Sequence, residues 1–115
     1  MSVDPDCIFC KIVAGKIPSR KVYEDAELLA FHDIAPWAPV HFLIIPKAHI
    51  ATMYDTAQEH APMMGRMMAL APRLARELGV LNGFRIVVNT GVDGRQEVQH
   101  LHMHVMGGPR PWLKG

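Results

Sequence analysis

Seven consecutive residues, Gln99-His100-Leu101-His102-Met103-His104-Val105, alternate strictly between polar and apolar side chains. A strand sends successive side chains to opposite faces. The run therefore reads as a half-buried strand from His100 to Met106, with Leu101, Met103 and Val105 in the core and three imidazoles together on the other face. Alternate Cα atoms in a strand lie about 7 Å apart, close enough for one ligand group to touch two of the rings. Imidazole is nucleophilic and protonable near neutral pH, so such a row can attack an electrophile, donate a proton and position an anion. A His-rich surface strand or a metal-binding face would explain the composition equally well. The neighbours favour a nucleotide phosphate as the guest: Asn89 ends the preceding strand, the Gly91 to Arg95 loop can offer main-chain N–H groups, and Gly107-Gly108 admits a ligand or another backbone.

The chain has 115 residues, half of them hydrophobic, enough for one core and hence a single domain over residues 1–115. Twelve basic against 11 acidic side chains leave a formal charge of +1, without the basic footprint that nucleic-acid binding needs. No apolar run reaches the roughly 18 residues of a membrane span, and Met1 to Asp6 is short and acidic, so the reading is a cytoplasmic protein with no membrane partner. The two cysteines form one Cys7-Ile8-Phe9-Cys10 tetrad, a spacing that points to metal or redox chemistry and away from a secreted disulfide scaffold.

Pro and Gly punctuation divides the chain into short elements. The tetrad leads into one or two helical turns over Lys11 to Gly15. Lys21 to Glu24 and Leu28 to Asp33 read as strands, Pro36 and Pro39 force a loop, and His41 to Ile45 reads as a buried strand closed by Pro46. From Thr56 to Gly79 the period becomes helical, with Met64, Met67, Ala71, Leu74 and Leu78 on one stripe, Thr56 and Glu59 in the form of a capping box, and a kink expected at Pro72. Phe84 to Asn89 reads as the next strand. The order predicts an α+β fold, an antiparallel five-stranded sheet with one long central helix and a short N-terminal helix, the helices on one face.

His100-Leu101-His102-Met103-His104-Val105-Met106 resembles the His-φ-His-φ-His-φ-φ signature of the histidine triad superfamily, φ being apolar. The resemblance extends through Cys7 to Ile12, Ile17-Pro18, Tyr23-Glu24-Asp25, Ala30 to Ile34, Ala38 to Lys47 and Gln96 to His100. The short chain and the Gly107-Gly108 ending are similar to the adenosine phosphoramidase, or histidine triad nucleotide-binding, branch.

That resemblance implies a purine nucleoside phosphoramidase working through a nucleotidyl-histidine. His102 takes the place of the family's nucleophile, attacking the α-phosphorus of an AMP-type phosphoramidate or acyl adenylate. His104 corresponds to the histidine at the phosphate or leaving group, where a protonated imidazole would stabilise charge and supply a proton. His100 and His41 resemble the supporting pair. Asp33 matches the carboxylate that accepts from the ribose hydroxyls; Ile8, Phe9, Ile12, Ile34 and Leu43 resemble the purine slot, and each alone would serve equally as plain core. Asn89 corresponds to the phosphate-side asparagine, and the backbone near Val98 to the phosphate cradle. Glu97 stands where many relatives carry serine, and Arg95 where some carry glycine.

Some members of the superfamily hold a structural zinc, and Cys7, Cys10, His49 and His100 would make its Cys₂His₂ set here; reduced, half-buried cysteines in a metal-free protein are the alternative. No cofactor is needed for the chemistry itself. Relatives are homodimers through the long helix and the strand after it, which suits the surplus of methionine at residues 63, 64, 67 and 68, and Pro111-Trp112-Leu113 resembles a segment that reaches the neighbouring subunit. A non-catalytic nucleotide-binding scaffold, a dinucleoside polyphosphate hydrolase and a nucleotidyl transferase are the competing readings.

Overall fold

Strands β2 (Leu28–His32) and β3 (Val40–Pro46) are buried along almost their whole length, on both faces, and everything else is arranged to cover them. The computed structural model describes residues 3–113. It contains a short helix α1 (Ile8–Val13), β1 (Lys21–Glu24), β2, β3, a long helix α2 (Ala61–Glu77), β4 (Phe84–Val87) and β5 (Met103–Gly107), with single 3₁₀ turns at Met53–Asp55 and Gln58–His60. The strands form one antiparallel sheet in the order β1-β2-β3-β5-β4. This is the α+β architecture expected, five strands with one long and one short helix.

The helices lie on opposite faces, which corrects the expectation that one face carries both. Alternation decides it. Leu28, Ala30, Phe42, Ile44, Met103 and Val105 pack with Met63, Met67, Leu70, Ala71 and Leu74 of α2, whereas Leu29, Phe31, Leu43 and Ile45 pack with Phe9 and Ile12 of α1. Two central strands with apolar residues on both sides require a lid on each. The Phe9 and Phe31 rings meet edge to face at 5.6 Å beneath the short helix.

Three boundaries also move. Helix α1 starts earlier than Lys11: Cys7 is its N-cap, its Sγ accepting the Cys10 N–H. Helix α2 starts at Ala61, because Thr56 and Glu59 form no capping box. The box is made one turn upstream, where Thr52 and Asp55 exchange main-chain and side-chain bonds, and Thr56 closes that turn by donating its hydroxyl to the Met53 carbonyl. Pro62 then sits in the first turn of α2, where a missing N–H is harmless. The helix continues through Pro72 to Glu77, and Gly79, at φ 84°, ends it, Val80 donating back to Ala75. Strand β5 begins at Met103 and not at His100, because the Leu101 N–H goes to the Ile50 carbonyl instead of to a strand ladder.

The β1-β2 hairpin is tied to the body by charge. Lys21 and Lys47 both reach Glu24, at 2.7 and 2.8 Å, and Arg66 of α2 grips Asp25 and Glu27. Hydrogen bonds from Lys21 and Lys47 hold the Glu24 carboxyl at a pKa of about 2. Burial works to raise Asp25, but the Tyr23 hydroxyl, the Glu27 and Leu28 N–H groups and Arg66 bring it to about 2 as well. Carboxyls lowered on folding stabilise the folded chain above their unfolded pKa, near 4, and that stabilisation disappears as pH falls through about 2. Denaturant titrations from pH 6 to pH 2 are therefore expected to show falling stability below pH 4, and the fall should be shallower in Glu24→Gln. An identical pH slope in the variant would contradict this assignment.

Candidate functional site

On the α1 side of the sheet a cavity of about 620 Å³ opens between α1, the loop after β2 and the segment before β5. His102 and His104 of the histidine run form its floor. His102 is 5% exposed, and its Nδ1 lies 2.7 Å from the main-chain carbonyl of His100. A carbonyl only accepts, so Nδ1 carries the ring proton and Nε2 keeps its lone pair. Burial lowers the His102 pKa, which preserves that neutral, nucleophilic form.

His104 has the opposite tautomer. The Trp37 main-chain N–H donates to His41 Nδ1 at 3.0 Å, so His41 carries its proton on Nε2 and donates to His104 Nδ1 at 2.9 Å. His104 must then hold its own proton on Nε2, on the side of the cavity it lines. Burial, followed by the charges of His102 and His41, pushes its pKa down to about 4. In the free pocket His104 is accordingly a neutral hydrogen-bond donor, where the resemblance suggested a protonated imidazole. The rings of His102 and His104 stand 5.0 Å apart.

His100 leaves the row. It is fully buried, its Nε2 donates to the Pro46 carbonyl at 2.8 Å, and its Nδ1 faces Cys7 Sγ at 3.3 Å and Cys10 Sγ at 3.6 Å. It serves His102 through its carbonyl, while its ring belongs to a cluster of Cys7, Cys10, His49 and His100 whose donor atoms all lie within 4.8 Å of one another. His49 Nδ1 is 3.4 Å from Cys10 Sγ, and its Nε2 is 3.9 Å from Asp4. Ligands on a tetrahedral zinc at ordinary bond lengths sit about 3.5 Å apart, sulfur to nitrogen. The donor set and its spacing fit a metal ion, and the Pro46 carbonyl holds His100 in the tautomer that presents Nδ1 as a ligand.

The walls contain every residue expected at the nucleotide. Phe9, Ile12 and Leu43 are buried at the back, Ile8 is 47% exposed and Ile34 fully exposed at the rim. Asp33 lines the cavity, one oxygen accepting the Ala35 N–H and the other 3.5 Å from His41 Nε2. Asn89, Glu97 and Val98 complete the wall, with the Asn89 amide donating to the Gly94 carbonyl at 2.7 Å. Of the four histidines expected in catalysis, His102 and His104 line the cavity, and His41 and His100 stand behind them.

Residues 14–110 match the HIT domain family. The chain belongs to the HIT family. It is 50% identical over 104 residues to Protein HitA of Neisseria gonorrhoeae, covering 90% of this chain and 97% of that protein. It is 45% identical over 104 residues to the purine nucleoside phosphoramidase of Escherichia coli (strain K12), covering 90% and 87%. Among solved structures, a HIT family hydrolase from Legionella pneumophila Philadelphia 1 superposes with a TM-score of 0.88 at 44% identity, covering 91% and 95%. A histidine triad protein from Clostridium difficile gives 0.89 at 43%, covering 94% and 95%.

Within this HIT domain some glycines serve the chain and not a ligand. A Cβ at Gly107 would meet Val80 at 2.5 Å, and one at Gly108 would meet Pro39 at 2.8 Å. The Gly91 N–H, offered by the sequence to a phosphate, goes instead to the Gln96 side chain, whose amide donates to Ala51 and Val98 carbonyls. Gln96 thus ties the loop to the body, a role with no sequence signal beyond its polarity. Arg95 lines the cavity at φ 60°, a left-handed conformation that glycine adopts without strain and that side-chain-bearing residues rarely take. Trp37 is among the lining residues that sequence reasoning missed, with Pro18, Ser19, Phe31, His32 and Ala35. Its one signal was a large aromatic in the Pro-rich loop between Asp33 and His41.

Proposed function

We propose that this HIT protein hydrolyses purine nucleoside phosphoramidates or acyl adenylates, with His102 as the nucleophile. The observation that carries the reading is the His102 tautomer: its proton is anchored on the His100 carbonyl, so an Nε2 lone pair stands on the floor of a nucleotide-sized cavity. The 45% identity to a purine nucleoside phosphoramidase supports the same substrate class. In the first step a bond forms between His102 Nε2 and the α-phosphorus as the phosphorus–nitrogen bond breaks, its electron pair leaving with the amine, which takes a proton from solvent. Water then attacks the phosphorus, releasing the nucleoside monophosphate and His102. His104 Nε2–H donates to a phosphoryl oxygen throughout, stabilising the charge that grows there. Asp33, with two acceptor oxygens, takes the ribose hydroxyls, and Phe9, Ile12 and Leu43 face the purine with Ile8 and Ile34 at its edge.

In this reading the cluster of Cys7, Cys10, His49 and His100 holds zinc, which supplies a cross-link between α1 and the segment before β5 and no reaction chemistry. Through His100 that cross-link braces the carbonyl on which His102 rests. Both cysteines are free thiols, in keeping with a reducing compartment such as the cytoplasm.

A homodimer fits the opposite side of the molecule. β4 is an edge strand with Phe84 37% exposed, and the outer face of α2 exposes Gly65, Met68, Ala69 and Pro72, Met68 to 53%. Small residues at such spacing let a second helix approach closely.

His102→Ala is expected to lower turnover of adenosine phosphoramidate by about a thousandfold or more while AMP still binds. Assay of AMP and GMP amidates, acyl adenylates and dinucleoside polyphosphates separates the amidase from the polyphosphate hydrolase, and retained turnover in the variant dismisses the nucleophile. Purified protein should contain one zinc per chain, and a strong chelator should lower the thermal midpoint by about 4 °C for each kcal/mol of binding lost. No metal by elemental analysis and an unmoved midpoint argue for the metal-free alternative. A Cβ at Gly65 meets nothing within 4 Å in the single chain, so Gly65→Arg should leave the monomer folded and halve the mass seen by light scattering. A wild-type mass equal to one chain at micromolar concentration refutes the dimer.

A further inference from the structure

Trp37 touches the histidine machinery through its main chain and through its indole, which also meets the His41 ring at 6.1 Å. Its main-chain N–H donates to His41 Nδ1 at 3.0 Å, and its indole stacks on the His104 ring, planes 15° apart and centroids 6.3 Å apart. It is half-buried and lines the cavity. These contacts act on one relay, since His41 Nε2 donates to His104 Nδ1.

We propose that Trp37 is a positioning residue that holds His104 as a neutral Nε2–H donor facing the phosphoryl group. The proposal deepens the phosphoramidase reading and rests on it for the identity of the acceptor.

The main-chain contact sets the polarity. A proton on His41 Nδ1 would point at the Trp37 N–H, donor against donor, so His41 is confined to the tautomer that donates from Nε2. The side chain sets the ring. His104 has the His102 ring steeply inclined to it with centroids 5.0 Å apart, the His41 bond at Nδ1 and the indole stacked on it. Without the indole, His104 would open to the cavity, and a half-turn about its terminal side-chain torsion would cost little beyond the His41 bond. Stacking adds a preference for the observed orientation, and the planar match distinguishes an aromatic side chain from any other of similar bulk. Trp37 also lies four residues past Asp33 on the same loop, so the ribose contact and the relay share one support.

The test compares Trp37→Phe, Trp37→Ala and Trp37→Leu on adenosine phosphoramidate, with the imidazole nitrogens followed by long-range proton–nitrogen spectra. Leucine fills the space without an aromatic face, which guards against a collapsed alanine variant. The alanine and leucine variants should lose about ten- to a hundredfold in kcat with KM within about twofold, and phenylalanine should recover most of the loss. In wild type His104 should show a protonated Nε2 and a bare Nδ1; in the alanine and leucine variants the two signals should move toward each other. A rise in KM with kcat unchanged makes Trp37 a binding wall and overturns the proposal. So do His104 nitrogens that are identical in wild type and leucine variant, whatever the kinetics, and so does a phenylalanine variant as impaired as leucine. Wild-type protein that turns over no nucleotide amidate defeats the phosphoramidase reading, and the nitrogen spectra then still decide whether Trp37 holds His104.

Discussion

Pro46 ends β3 with no N–H to give, and its carbonyl is taken by the ring of His100. With Leu101 bonded to Ile50 outside the sheet, residues 100–102 form a bridge leading into β5. That geometry divides one regular motif between two tasks. The His100 ring turns to the cysteines, its carbonyl turns to His102, and only His102 and His104 remain on the cavity floor. Had the ladder continued, all three carbonyls would have been committed to strand bonds or to solvent, and His102 would lack the acceptor that fixes its tautomer.

The two floor histidines differ in chemistry because they differ in what their Nδ1 atoms meet. His102 Nδ1 meets a carbonyl, which demands a proton from it. His104 Nδ1 meets a donor, which demands a lone pair. Identical side chains two residues apart are thereby assigned as lone-pair bearer and hydrogen-bond donor, and burial keeps both neutral. The row of imidazoles works as unlike parts, His102 set by the carbonyl of His100 two residues back and His104 by the ring of His41 on the neighbouring strand.

The sheet supplies the rigidity this needs. β3 carries His41 and Leu43 and pairs with β5 so that Leu43 stands opposite His104. Both strands are held from below by α2 and from above by α1, and the Arg66 grip on the β1-β2 turn joins the long helix to the far edge. Metal ligation at the N-cap of α1 would fasten the upper lid to the same bridge that carries His102.

Local pattern was enough for much of this protein. Alternation announced the imidazole face, the Cys-x-x-Cys spacing announced a donor pair, and apolar patterning located the strands and the long helix, because each of these depends on neighbours two to four residues away. Legibility failed where the partner is distant in sequence. That Leu101 would bond Ile50 and so shorten β5, that Thr52 and not Thr56 would cap, and that α1 would cover the face opposite α2 are outcomes of packing. So is Trp37, an unremarked loop residue until β3 and β5 bring His41 and His104 beneath it. Composition and spacing determined which chemical groups the chain owns. Only the folded structure decided which nitrogen of each ring is bare, since that depends on hydrogen-bond geometry: the His100 carbonyl reaches His102 only because residues 100–102 leave the strand ladder, and His104 meets His41 only because β3 pairs with β5.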